Sequence, residues 1–335
     1  VDFSPGLPAW WMFRGTVGWR VWQTLWSLWR EKDAAAIVAV HEISVLFVLL
    51  VRTVGWKGAP VIVLDLGLLH PKNSMGHRRW IWRLLLRKAD RIVSLVKANG
   101  LELNSRFGVC LNRTAFLPMS VDCSFVGRAD PSAEEGFVLA VGTNDGKDFE
   151  TLLEALPLGL RLVVVTDPYN AEKVRKHPCF GGSVEVRESV PAVELLGLYK
   201  SAGVVVVPLA DTPHGSGHTV LLETMGMGKI VVVSNVRCMQ DYLGGDEAVL
   251  SVPPGDAKSL RAAIEESLKY PERFRDMRER AAAVVRSKFN MERFGRRFER
   301  LVTDLVAGRS TVESDDFEAA GSLEREEDKS YAPVS

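Results

Sequence analysis

The sequence predicts an α/β protein built as two doubly wound domains in tandem, and three observations carry that prediction. Short apolar runs rich in β-branched residues alternate with helical stretches from residue 34 onward. Two of those runs, GVVVVP at 203–208 and IVVVS at 230–234, are apolar almost throughout, which suits strands buried on both faces of a parallel sheet. The alternation breaks once, at Arg128–Gly136 (RADPSAEEG), and then restarts. A length of 335 residues agrees with two domains at about 150 residues each.

Taken in order, residues 1–33 supply an aromatic helical stretch, followed by a strand at 35–40 and a helix at 43–54. Strand 60–64, helix 77–89, strand 91–96, helix 98–107 and strand 114–118 complete the first domain, residues 1–128. The second domain, residues 129–309, holds strands at 137–142, 161–166, 183–187, 203–208 and 230–234. Its helices fall at 148–156, 193–202, 219–227, 257–270 and 271–288. Residues 310–335 form an acidic tail expected to stay disordered. Right-handed crossovers put ligand sites at the carboxyl ends of the strands, and two such domains enclose a cleft.

Composition narrows the function. Basic and acidic side chains are 42 each, but they are spread unevenly: +8 over residues 1–130, −2 over 131–310 and −6 over 311–335. The balance argues against a nucleic-acid binder. Four separated cysteines, Cys110, Cys123, Cys179 and Cys238, fit neither a disulfide framework nor a zinc site and point to a reducing, cytoplasmic setting. The longest apolar run, Val45–Val51, falls far short of the ~20 residues that span a bilayer.

The most informative stretch is PLADTPHGSGHTVLLETMGMGK, residues 208–229. A buried strand leads into His214-Gly215-Ser216-Gly217-His218-Thr219, where a helix begins. Glycines admit a ligand close to the backbone, and free N–H groups at a helix start attract anions. Glu223, about one turn in, is placed to accept hydrogen bonds from the vicinal hydroxyls of a ribose. The alternative is that Ser216 or Thr219 caps the helix and Glu223 faces solvent. A second loop, Gly142-Thr143-Asn144-Asp145-Gly146-Lys147, offers a tight turn and an ammonium for a diphosphate; a solvated turn with a surface lysine is its alternative.

These segments resemble the donor-binding domain of GT-B-fold glycosyltransferases, specifically glycosyltransferase family 4. The resemblance runs through FVLAVGTNDGKDFETLLEAL (137–156), YKSAGVVVVP (199–208), GHTVLLETMGMGKIVVVS (217–234) and the PPGD turn before Ala257, and in the first domain through LPMSVDCSF (117–125). It implies two Rossmann-like domains, the first lacking the family's opening strands and apparently truncated. It also implies retaining transfer from a nucleotide-diphosphate sugar, without a metal or other cofactor, to a glycan or lipid-linked acceptor. By position Glu223 matches the ribose-binding Glu, Lys147 the diphosphate Lys, and Gly217, His218 and Thr219 the helix start beneath the diphosphate. Gly142, Thr143 and Ser216 belong to the same loops. The earlier Glu of the family's pair falls at Gly215 or His214, neither acidic, and Thr143 replaces a common Arg. A non-catalytic nucleotide-sugar or partner-binding protein and a sugar-nucleotide epimerase are the rival readings.

In the first domain, His41 ends a strand while Asp65 and His70 follow the next, positions from which the family faces its cleft. A histidine there can deprotonate an acceptor hydroxyl; a capping or surface histidine is the alternative. Six of nine tryptophans lie in residues 1–30, with Trp19, Trp22, Trp26 and Trp29 at helical spacing. Trp80 and Trp82 stand among Arg78, Arg79, Arg83 and Arg87. Tryptophan and arginine on an amphipathic helix suit peripheral contact with the anionic inner face of a membrane; packing on the sheet is the other reading.

Overall fold

A computed structural model describes residues 16–309 apart from 32, 57, 144, 213–215 and 244–247; the acidic tail and the first two tryptophans lie outside the described residues. The chain divides into two compact units, one running to Leu117 and resuming at Phe298, the other spanning Pro118–Arg297.

The first unit contains α1 (Thr16–Arg30), β1 (Ile37–Ala39), α2 (Glu42–Thr53), β2 (Val61–Asp65), α3 (Gly76–Leu86), β3 (Arg91–Ser94), α4 (Asn99–Phe107) and β4 (Thr114–Phe116). Its strands are parallel and lie in sequence order, β1-β2-β3-β4. Each right-handed crossover therefore steps the same way and leaves its helix on the same face. One apolar cluster shows this, joining Val48 and Leu49 of α2, Trp82 and Leu86 of α3 and Leu103 and Phe107 of α4 to Val61, Val63 and Ile92 of the sheet. The two tryptophans paired in the sequence thus part company: Trp82 is core, and Trp80 is 66% exposed. On α1 the rings of Trp19, Trp22, Trp26 and Trp29 follow one another with centroids 5.2, 5.6 and 5.2 Å apart, the first two pairs stacked and the third tilted.

The second unit adds α5 (Cys123–Val126), β5 (Val138–Gly142), α6 (Phe149–Ala155), β6 (Leu162–Thr166), α7 (Pro168–Lys176), β7 (Val184–Glu188), α8 (Ala192–Ser201) and β8 (Val204–Val207). α9 (His218–Met227), β9 (Val231–Ser234), β10 (Leu250–Val252), α10 (Ala257–Lys269), α11 (Arg275–Lys288) and the start of α12 (Met291–Val306) complete it. Six parallel strands run β7-β6-β5-β8-β9-β10. Counted from β5 this is the order 3-2-1-4-5-6 of a dinucleotide-type sheet, which reverses between its first and fourth strands. Its interior joins Val138, Ala140, Leu162, Val164, Val204, Val206 and Val232 of the strands to Phe149 and Leu152 of α6 and Ile264 of α10.

Residues 118–128, which the sequence break leaves in the first domain, hydrogen-bond within the second unit. Met119 N–H donates to the Tyr242 hydroxyl at 2.9 Å and Val121 N–H to the Phe289 carbonyl at 2.9 Å. Four elements lack a sequence counterpart: α5, α7, β10 and α12, the last of which begins in the second unit and ends in the first. The stretch 271–288, read as one helix, is a 3-10 turn at Pro271–Phe274 followed by α11.

An ionic knot lies at the amino-terminal end of β9. Lys229, fully buried, donates to Glu134 at 2.5 Å and to the Lys200 carbonyl at 3.1 Å. Arg278 donates to the same Glu134 oxygen at 2.6 Å and to the Gly228 carbonyl at 2.5 Å.

Candidate functional site

The sheet reverses between β5 and β8, so the loops leaving their carboxyl ends face the crevice where open α/β sheets take ligands. These are the two loops the sequence singles out. They are fastened together: Lys147 and Leu209 form an antiparallel bridge, Asp148 N–H donates to the Pro208 carbonyl at 3.0 Å, and Ala210 N–H donates to Gly146 at 3.2 Å. Their roots are fixed as well. The Thr166 hydroxyl donates to the Gly142 carbonyl at 2.5 Å, and Leu209 N–H donates to the Ser234 hydroxyl at 2.9 Å.

Three glycines make this approach possible. A Cβ on Gly142 would lie 1.9 Å from Lys147 Cε, because the lysine stem crosses directly over that backbone. A Cβ on Gly146 would lie 2.9 Å from Ser216 Cβ. Gly217 has φ +81°, and a Cβ there would stand 2.9 Å from Val207 Cγ1 and 3.0 Å from Met239 Cε. Gly217 is also the N-cap of α9, and among the described residues no side-chain cap hydrogen bond is made there. Neither Ser216 nor Thr219 is the cap, and the first N–H groups of α9 carry the positive end of its dipole.

Lys147 places its Nζ 3.0 Å from the Ser216 hydroxyl, just ahead of that helix end. Burial, offset slightly by the Cys238 thiol, lowers its pKa to about 8. Among the described residues no carboxylate pairs with it. Ser216 is buried, while Thr143 and Thr219 are exposed. The arrangement is a desolvated cation beside an uncapped helix N-terminus, which an anion completes.

His218 faces inward. Its ring lies 4.3 Å from that of Tyr242, and its Nε2 is 2.8 Å from the Cys238 carbonyl, an acceptor only, so Nε2 carries the proton. Burial, aided by the charge of Lys147, lowers its pKa to about 4. The residue is therefore neutral near pH 7 and contributes its backbone N–H, not a cation, to the helix start.

Glu223 is half-buried on α9, and burial raises its pKa, partly offset by the neighbouring Tyr199. Tyr199 is buried beside Glu223, and burial and then that carboxylate push the pKa of its hydroxyl well up. Sequence reasoning missed Tyr199, as it did Thr166, Ser234 and the Cys238 carbonyl. Each acts across a separation of 20 residues or more, for which local spacing gives no signal. Gly215, His214 and Asn144 lie outside the described residues.

In the first unit the carboxyl ends of β1 and β2 carry His41, Asp65 and His70. Asp65 is buried and receives Leu68 N–H at 3.0 Å, the Ser94 hydroxyl at 3.2 Å and Asn99 Nδ2 at 3.3 Å. Burial raises its pKa against those hydrogen bonds. His70 accepts from Lys72 N–H at 3.2 Å through Nδ1 and so caps the turn that follows. His41 is exposed at the N-cap of α2, and its side chain makes no cap hydrogen bond.

Comparison with known proteins agrees with the second unit's geometry. The model of the family described as "Glycosyl transferases group 1" matches residues 135–269. Sequence search among curated proteins finds no match. The structure is similar to sucrose-phosphate synthase from Thermosynechococcus elongatus, with a TM-score of 0.71, 20% identity and 90% of this chain covering 81% of that one. It is similar to Anabaena Alr3699/HepE in complex with UDP and glucose, with a TM-score of 0.72, 15% identity and 86% covering 83%. A glycosyltransferase from Rickettsia africae ESF-5 gives a TM-score of 0.66 at 11% identity, with 91% covering 84%. At these identities the likeness is one of fold, and the fold is GT-B.

Proposed function

We propose that this GT-B chain, with a glycosyl transferases group 1 segment in its second unit, moves a sugar from a nucleoside-diphosphate donor to an acceptor hydroxyl. The observation that carries the reading is Lys147: a desolvated ammonium, unpaired with any described carboxylate, at the sheet's switch point beside an uncapped helix start. In the transfer the bond from the anomeric carbon to the β-phosphate oxygen breaks, and its electron pair leaves with the diphosphate. The acceptor oxygen bonds to the anomeric carbon and passes its proton to the departing diphosphate. Lys147 and the α9 N–H groups neutralise the charge that develops on the diphosphate, which is where electrostatic preorganisation acts. Glu223 accepts hydrogen bonds from the ribose, Gly142 and Gly146 keep the backbone close, and Ser216 orients the ammonium. The resemblance to family 4 supports retention and a glycan or lipid-linked acceptor. Asp65 and His70 shape the loop after β2, and His41 stays open to solvent at the N-cap of α2.

A second reading, binding of a nucleotide sugar without turnover, is favoured by one feature of the sequence: the position of the family's earlier Glu is taken by Gly215 or His214. Calorimetric titration with UDP, GDP and ADP tests the site itself, with Glu223→Ala as control. Binding to one of them, weakened in the variant, supports it; heat from none of the three removes the donor-site assignment. Slow release of sugar from the matching donor then separates an enzyme from a binder.

A further inference from the structure

We infer that the outer face of α3 docks on an anionic lipid bilayer. The helix lies in the single layer that covers one face of the first unit's sheet, and it turns Trp82, Leu85 and Leu86 into the core. The opposite side of a helix repeats every three to four residues, and here it carries Trp80 and Leu84, 66% and 42% exposed, one turn apart. Arg79, Arg83, Arg87 and Lys88 surround this apolar pair and are all exposed.

These cations have no described carboxylate to answer them. Two acids close to them in sequence are engaged elsewhere, Asp90 with Arg52 and Glu102 with Arg106. Arg79 donates Nε to the Arg106 carbonyl at 3.1 Å, which anchors its stem and leaves its charge unpaired. Arg83 and Arg87 converge on Gly108, where a Cβ would lie 3.5 Å from one and 3.7 Å from the other. Like charges held this close, around an exposed tryptophan, are matched by a surface that is both negative and apolar just beneath. An anionic headgroup layer is such a surface: arginines meet lipid phosphates, and the indole sits at the boundary of the acyl chains. A duplex polyanion would match the charge but would leave Trp80 and Leu84 without an apolar partner. No helix among the described residues is long and apolar enough to cross a membrane, so the contact is peripheral.

The test is flotation of the full chain with phosphatidylcholine vesicles, with and without phosphatidylglycerol. The expected result is flotation only with the anionic vesicles, lost at high salt. Arg83→Gln and Arg87→Gln should each weaken it about fivefold. The pair Trp80→Ala and Leu84→Ala should reduce it about tenfold or more with all arginines in place. Lys258→Gln with Lys269→Gln, which removes two exposed charges from the second unit against one in each arginine variant, should leave it unchanged. All four altered α3 positions are exposed, so circular dichroism should stay that of the parent. Equal flotation with neutral vesicles, indifference to the α3 variants, or sensitivity to the arginines without any to Trp80 and Leu84 would overturn the inference. The last outcome would point to a polyanion instead.

Discussion

At the scale of single residues, half-buried Lys147 and buried His218 are two bases whose depressed pKa values have different consequences. An anion bound at Lys147 favours its charged form, so binding raises the pKa from about 8. Affinity for a nucleoside diphosphate should therefore hold up to about pH 8 and weaken above it, by up to tenfold per unit. Lys147→Met should lower affinity about 10- to 100-fold at neutral pH, the usual worth of a charge-assisted hydrogen bond, and abolish that pH dependence. His218 changes stability instead. It is neutral when folded, with a pKa of about 4, whereas the unfolded chain takes up the proton near 6.5. Stability is full above that range, falls as pH drops from about 6.5 to 4, and levels off below. The loss is of order 3 kcal/mol. Urea midpoints across that range should show the slope in the parent and lack it in His218→Gln. Lys147, Glu223 and the glycines were legible because one contiguous motif carries each. The inward turn of His218 was not, since its partners Cys238 and Tyr242 come from a separate segment.

At the scale of elements, backbone geometry sets how closely the β5 and β8 loops approach. Gly217→Ala combines a left-handed φ of +81° with contacts of 2.9 and 3.0 Å, and it should cost about 1–3 kcal/mol while displacing the start of α9. Gly142→Ala should act differently. It would push Lys147 Cε from its place over the backbone, so nucleotide affinity should fall further than the thermal midpoint. At the other end of the sheet, Glu134→Ala leaves fully buried Lys229 with only a carbonyl partner and should cost about 3–5 kcal/mol in chemical denaturation. The valine-rich strands were readable because both faces are buried. Helix α7 was not, as only Asn170, Ala171 and Val174 of its nine residues are buried and its composition is otherwise polar. β10 has three residues and one neighbour, too little for a pattern. α12 does space Phe294, Phe298, Leu301 and Leu305 at three and four residues, a signal diluted by its many arginines and Gly295.

For the whole molecule, zero net charge conceals a division of labour. The +8 of residues 1–130 includes the cationic face of α3, while the near-neutral second unit places the Lys147 ammonium, which no described carboxylate pairs, where its sheet reverses. The alternation of strands and helices reveals the two-unit plan, but it does not reveal the path of α12, whose final turns return to the first unit through contacts remote in sequence. The central claim is that the second unit holds a nucleoside diphosphate through Lys147. Its most direct test is calorimetric titration of the parent chain and Lys147→Met with UDP, GDP and ADP at neutral pH. Saturable one-to-one binding of at least one nucleotide, weakened at least about tenfold in the variant, is the predicted result. Heat from none of them, or equal affinity in parent and variant, would contradict it.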